Sequence, residues 1–244
     1  MNCKLNLSYD GTAYHGWQRQ NNALAVCEVV EKAIKDIFGQ FCEVTGCSRT
    51  DAGVHALNYV CNFDAPFMIP AEKLHLALNT KLPDDVKVKS GEYVDDDFHS
   101  RFSAKSKTYV YRAYCGEVLD PFLRNYACHF PFAVDIEKIK AVTKHFEGTH
   151  DFAGFMAQGS SQKTTVRTVN FLRAEKVDNI IEFEINADAY LYNMVRIIAG
   201  TLLYVGCGKI EGAEIPDIIA SCDRTRGGIT AEPQGLYLKE VIYE

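Results

Sequence analysis

The stretch VCEVVEKAIKDIFG, residues 26–39, decides the fold. Val26, Val29, Val30, Ala33, Ile34, Ile37 and Phe38 recur at the i, i+3, i+4 spacing of one helix face, and Gly39 supplies the stop. Upstream, Leu5, Leu7 and Tyr9 alternate with Lys4, Asn6 and Ser8, the period of two of a half-buried strand. Downstream, residues 41–47 and 56–63 read as strands, with Leu57, Tyr59, Cys61 and Phe63 on one face of the second. Pro70 opens a short helix through Leu78, and Val86 to Val94 supplies another strand. The order around the quoted helix is therefore β-α-β-β-α-β, the split βαβ arrangement of ferredoxin-like folds.

The same order recurs further along. Residues 107–114 read as a strand, and Asp135 caps a helix with Ile136, Ile139, Val142 and Phe146 on one stripe, closed by Gly148. Strands follow at 165–176 and 180–187, then helices at about 189–204 and 213–222, then a last strand from Leu236 to Tyr243. The expected fold is α+β, with two tandem ferredoxin-like halves at residues 1–103 and 104–244. They would form a continuous, mainly antiparallel sheet with helices on one side and an active-site cleft between the halves.

Composition narrows the class. Of 244 residues, 47% are hydrophobic and 24% charged, as in a globular protein with a full core. The first ten residues, MNCKLNLSYD, hold no apolar signal-peptide region. The longest apolar tract, 189–207, is broken by Asn193 and Arg196 and makes a poor membrane span. Nine cysteines without any CxxC argue for reduced thiols in a cytoplasmic protein rather than a zinc ribbon or a disulfide framework. Net charge is −6, against a globally basic nucleic-acid binder. The charge is uneven, however: residues 84–97 hold six acids against two lysines, whereas 101–112 hold Arg101, Lys105, Lys107 and Arg112 with no acid. A phosphate backbone responds to that local potential.

Between the second and third strands lies GCSRTDAGVHAL, residues 46–57. Asp and Gly serve ordinary turns, so the stretch is either turn chemistry or a loop built to hold one carboxylate. The matching region of the second half, Val177 to Ile180, is a plain turn. Other chemistries find no support. Gly206-Cys207-Gly208-Lys209 lacks Walker spacing, the seven histidines show no HExxH, and no GxSxG occurs. His145 and His150 read as a helix end and a loop. What remains is Asp51 flanked by Arg49, together with a basic strand carrying Tyr109 and Tyr111. A carboxylate, a guanidinium and an aromatic platform suit a site that draws in a nucleotide and works on its base.

These residues carry a family resemblance that runs essentially from end to end. Tyr9-Asp10-Gly11-Thr12 with Gly16-Trp17-Gln18-Arg19-Gln20, Arg49 through Ala56, Phe98 through Ala104, Lys107-Thr108-Tyr109, Asn193-Met194-Val195-Arg196 with Ala199-Gly200, and Gly235 through Leu238 all resemble motifs of tRNA pseudouridine synthase A. Ser48, Asn58 and Glu232 depart from the residues common in that family.

The resemblance implies an isomerase that converts uridine to pseudouridine at positions 38, 39 and 40 of the tRNA anticodon stem-loop, without cofactor or metal. It implies Asp51 as the catalytic nucleophile or base, acting on a flipped-out uridine. Tyr109, Arg49, Arg196 and Leu236 are expected to bind that nucleotide, with Tyr109 stacking on the uracil and Arg196 partnering Asp51. Arg101, Lys105 and Lys107 are expected tRNA backbone contacts, and Arg167 and Arg173 weaker candidates. A homodimer is implied as well. Tyr111 and His55 are expected to serve packing and backbone hydrogen bonding. Two other classes use part of this equipment: a non-catalytic RNA-binding module on the same sheets, and a carboxylate-dependent hydrolase using Asp51.

Overall fold

The computed structural model describes residues 1–159 and 162–244. The chain divides into two compact units, Met1–Lys105 with Tyr237–Glu244, and Ser106–Leu236. The terminal strand, expected with the second half, thus has residues 237–244 in the first unit.

In the first unit the elements run β1 (Asn2–Tyr9), α1 (Val26–Phe38), β2 (Thr45–Gly46), β3 (His55–Asp64), α2 (Ala71–Asn79) and β4 (Val86–Tyr93). This is the expected order. β1 lies between β4 and β3 and pairs antiparallel with both. The quoted helix forms over the expected residues. Glu28 Oε2 accepts the Ala25 N–H at 3.0 Å at its start, and Gly39, at φ +74, ends it in the left-handed region that suits glycine. Helix packing follows from register. Cys3 pairs with Phe63 and Leu5 with Cys61, so all four share one face. The Phe38 ring of α1 meets Phe63 at 5.6 Å between centroids, and Leu74 of α2 packs over Leu5 beside Gly91. Both helices therefore cover the same side.

Two expectations in this unit are corrected. Residues 41–44 form no strand, and β2 is reduced to Thr45 and Gly46, pairing with Asn62 and Cys61. The Val44 N–H is taken at 3.2 Å by Glu31 Oε1, a buried α1 carboxylate that also pairs with Arg19, so it is unavailable to a ladder. Leu57 does not share the face of Tyr59. Leu7 pairs with Tyr59 but Tyr9 pairs with Ala56, so β3 carries an extra residue here. That bulge reverses the alternation and leaves Leu57 exposed.

The second unit holds β5 (Ser106–Tyr114), β6 (Cys128–His129), α3 (Ile136–Val142), β7 (Gly148–Asp151), β8 (Val166–Val177), β9 (Ile180–Ala187), α4 (Met194–Gly206) and α5 (Ile215–Ser221). Chain order apart, β5, β9, β8 and β7 neighbour one another in antiparallel pairs, and β6 adds parallel to β5. β10 (Leu236–Ile242) follows and pairs parallel with β3 through Tyr237 and Leu238. Both units are thus α+β and mainly antiparallel.

Here too the pattern slips at particular residues. Asp135 caps α3 by accepting from Glu137 N at 2.9 Å, as expected. The helix nevertheless tightens to 3-10 geometry over Thr143–Phe146, where Thr143 Oγ1 donates back to the Lys140 carbonyl. Gly148 then opens the short strand β7, which carries His150, rather than closing a helix. α4 starts at Met194, not near residue 189, because Asn193 holds φ +62 and breaks the helical run. Once begun, α4 is buried on nearly every side. Among the described residues no helix is long and apolar enough to cross a membrane.

Candidate active site

The loop before Asp51 is held from below by an aromatic cluster. Trp17 stacks on Tyr59 with 4.0 Å between centroids, and Tyr9 packs against both rings. A Cβ on Gly46 would lie 2.2 Å from the Tyr59 hydroxyl and 2.4 Å from Trp17 Nε1, so only glycine lets the strand pass this stack. The buried Tyr59 hydroxyl donates to the Ser48 carbonyl and accepts from the Ser48 N–H at 3.4 Å. Burial pushes that phenol well above its ordinary pKa and keeps it protonated as a donor.

From the other side the loop is fastened to the opening motif. The Tyr9 hydroxyl lies 2.9 Å from Thr50 Oγ1, and the Trp17 N–H donates to the Thr50 carbonyl at 3.3 Å. The Gly53 N–H donates to Tyr14 O at 3.1 Å. Two glycines permit the close approach. A Cβ on Gly11 would meet Val54 O at 2.0 Å, and one on Gly16 would meet Thr50 O at 2.1 Å. The Val54 N–H closes a turn on the Asp51 carbonyl at 3.2 Å, with Gly53 at φ +77. Turn chemistry is therefore present, but it serves to end the loop just after the carboxylate. Thr50 is buried, between an exposed Arg49 and a half-buried Asp51.

His55 closes this scaffold. Its Nδ1 accepts the Gly11 N–H at 3.0 Å, and its ring stacks on Tyr237 at 4.7 Å. Asp10 Oδ1 also lies 3.2 Å from the same Nδ1. The expectation of a backbone-bonding role for His55 holds. In the same unit, Arg101 and Lys105 are exposed on the segment leading to β5.

The remaining candidates lie in the second unit. Tyr109 is on β5, opposite Ile185 of β9, and is 5% exposed. Its ring meets Tyr190 edge-on at 4.9 Å, and the Tyr190 hydroxyl is fixed 2.9 Å from the carbonyls of Lys107 and Ile185. Tyr111 is fully buried and donates to Glu232 O at 2.7 Å, the packing role expected of it. Lys107 is buried in the same strand, which leaves little of its side chain for a phosphate. Arg112 pairs with Glu182 at 2.9 Å across β5 and β9. Arg167 is buried, with Nη1 on the carbonyls of Thr164 and Val166. Arg173 lies over the Phe171 ring at 4.5 Å.

Arg196, in the first turn of α4, is half-buried and held at both ends of its guanidinium. Nε donates to Ala231 O and Nη1 to Asn193 Oδ1, each at 2.7 Å. The left-handed Asn193 that delays the helix thus also orients the arginine. Leu236 is buried where a 3-10 turn over Pro233–Gly235 enters β10. Gly235 allows that turn, because a Cβ there would lie 2.5 Å from Arg112 O.

Sequence reasoning missed Tyr59, Tyr190 and Asn193 as supporting residues. Asn193 was visible as part of a motif and Tyr59 as a strand aromatic, while nothing local marked Tyr190. Among the described residues no group of three or more His, Cys, Asp or Glu is arranged to hold a metal ion.

Comparison with known proteins bears on these residues. The chain matches the model of the tRNA pseudouridine synthase family over residues 7–103 and 142–244. It is 51% identical over 242 residues to tRNA pseudouridine synthase A of Thermoanaerobacter sp. (strain X514), with 99% of each chain covered. It is 48% identical, with the same coverage, to the protein of that name from Acetivibrio thermocellus, and 43% identical to tRNA pseudouridine synthase A 2 of Clostridium perfringens. The matched spans contain the clamped loop and its opening motif as well as α4 with Arg196. The chain belongs to the tRNA pseudouridine synthase family and is an isomerase acting on tRNA.

Proposed function

We propose that the protein isomerises uridine to pseudouridine at positions 38, 39 and 40 of the tRNA anticodon stem-loop, with Asp51 as nucleophile or base on a flipped-out uridine. The single observation that most supports this reading is the fastening of Thr50. Two hydrogen bonds, from the Tyr9 hydroxyl and the Trp17 N–H, hold the residue before Asp51, with Gly16 leaving the room they need, a degree of restraint that a solvent turn does not need.

The reaction breaks the bond from ribose C1′ to uracil N1, rotates the base, and joins C1′ to C5. The C5 proton leaves and N1 regains one, so the base changes attachment without net loss of atoms. Asp51 acts in its ionised form, whether on C6, on C1′ or on a ribose proton. Arg196 is the proposed cationic partner that keeps the carboxylate ionised against desolvation. Its tethers to Ala231 and Asn193 support a fixed role over that of a mobile phosphate contact. Arg49, exposed beside Asp51, would engage the phosphates of the flipped nucleotide. Tyr109 would stack on the uracil and help remove the C5 proton, with Leu236 packing on the same nucleotide. Arg101 and Lys105 would contact the tRNA backbone, Lys107 less so for its burial. The protein would work in the cytoplasm as a homodimer.

The experiment uses unmodified tRNA transcripts carrying tritium at uracil C5, followed by mapping of pseudouridine. Tritium release with pseudouridine at 38–40 is expected. Free uracil would indicate a hydrolase, and tight binding with neither product would indicate an RNA-binding module.

A further inference from the structure

Phe102 is 75% exposed, a large apolar ring held in solvent by a turn that is itself rigidly built. Ser100 is fully buried beneath it. Its N–H donates to Asn62 Oδ1 at 2.9 Å, its hydroxyl to Thr45 O at 2.7 Å, and its carbonyl accepts from the Tyr243 hydroxyl at 2.7 Å. Above Ser100, His99 Nδ1 accepts the backbone N–H groups of both Arg101 and Phe102, at 3.1 and 3.2 Å. The His99 and Ser103 backbones are joined as well, by the Ser103 N–H on His99 O at 2.9 Å and by Ser103 Oγ accepting from His99 N at 3.0 Å. The Phe102 ring leans on His99 at 4.3 Å, with the Arg101 guanidinium 5.4 Å from its centroid.

An exposed ring on a fixed pedestal, braced by an imidazole and a guanidinium, is the arrangement on which an unpaired base stacks. Charge favours the same occupant. Residues 98–116 contain no acid, and Arg101 and Lys105 on either side of Phe102 are exposed. The exposed acids Asp95 to Asp97 precede the turn and oppose a phosphate lying over them. A ligand is therefore drawn to Phe102 by the face of a base, with the backbone directed toward Arg101 and Lys105. We propose that Phe102 is a stacking platform for one unpaired base of the bound tRNA, outside the uridine that reacts. The proposal rests on tRNA as substrate but not on the assignment of Asp51.

The test compares Phe102→Ala, Phe102→Leu and Phe102→Trp by tRNA binding across a salt series, with chain mass in solution and thermal midpoint measured alongside. Phe102→Ala is expected to weaken binding by about 5- to 150-fold, the loss of one base–aromatic stack, at an unchanged thermal midpoint. Phe102→Leu should lose nearly as much, since it keeps apolar bulk without the π face, and Phe102→Trp should bind as tightly as wild type. The salt slope should be the same in all three, whereas Arg101→Ala should lower it by about 1. Because Trp17 is the sole natural tryptophan and is 3% exposed, indole quenching by tRNA in Phe102→Trp reports contact at this site. Wild-type affinity in the alanine or leucine variant overturns the proposal. So does a change in chain mass in Phe102→Ala with unaltered affinity, which would make the ring a contact between copies of the chain. If the wild-type protein bound no tRNA, the assignment of substrate would fail and the platform with it, whereas wild-type affinity in the variants alone overturns only the platform.

Discussion

The Tyr9 hydroxyl lies 2.9 Å from Thr50 Oγ1, a buried contact that ties the end of β1 to the residue immediately before Asp51. Tyr9→Phe removes one partner and leaves the Thr50 hydroxyl buried without it, at a cost of about 1–3 kcal/mol. Urea unfolding should show that loss. Turnover of tRNA should fall while affinity stays near wild type, because the substitution loosens the placement of a carboxylate and touches no phosphate contact. Full turnover in a measurably destabilised Tyr9→Phe protein would separate the clamp from catalysis.

Tyr109 offers two separable properties, a ring and a hydroxyl. Tyr109→Phe keeps the ring against Tyr190 and should bind tRNA normally, but lose turnover if the hydroxyl moves the C5 proton. Tyr109→Leu should lose affinity as well, by the roughly 1–3 kcal/mol of a base stack. Single-turnover rates and binding constants for both variants decide it, and wild-type behaviour in both would leave Tyr109 as a core residue only.

Arg196→Ala tests the proposed partnership with Asp51 through pH. A cation beside a carboxylate favours its ionised form, so removing it should move the acidic limb of the pH–rate profile upward. Arg196→Lys should restore part of this, keeping the charge but losing the Nε bond to Ala231 O. Arg101→Ala should leave the limb in place and weaken tRNA binding in a salt-dependent way. An unmoved limb in Arg196→Ala, with weakened binding alone, would assign this arginine to the phosphates.

Alkaline stability follows from buried thiols. Burial raises Cys3 to about 12 and Cys27 to about 11 from an ordinary value near 9.0. The unfolded chain therefore releases these protons at lower pH than the folded one. Stability from them is fully present below pH 9 and is lost as pH rises toward 11–12. Urea midpoints should decline across that window, and Cys27→Ala should decline less steeply than wild type. Equal slopes for the two would remove Cys27 from the cause.

How much of this was legible depends on where each backbone hydrogen bond goes. Helix α1 could be read because its apolar stripe and Gly39 agree. The β8–β9 hairpin could be read because Ile181, Phe183 and Ile185 alternate with Glu182 and Glu184 after the turn, where Asp178 takes φ +53, although the bulge between Val169 and Phe171 of β8 left no such mark. Residues 41–44 look like a strand, yet a carboxylate thirteen positions earlier takes the Val44 N–H, and no local pattern records that. Leu57 turns outward because of a bulge seen only in the register with β1. The start of α4 was misplaced because apolar residues continue upstream of Asn193, whose dihedral ends the helix. The Asp51 loop was recognisable as a motif, but its joining to the opening motif was not. That union depends on Gly11 and Gly16, where a Cβ would lie only 2.0 Å from Val54 O and 2.1 Å from Thr50 O.

The proposed isomerisation rests on a single carboxylate, Asp51, held by this clamp. Asp51→Asn keeps size and hydrogen-bonding capacity and removes charge and nucleophilicity. Release of tritium from C5-labelled uridine in a tRNA transcript, measured at saturating enzyme, should be abolished while tRNA affinity and thermal midpoint stay near wild type. Release within tenfold of wild type would contradict this role for Asp51.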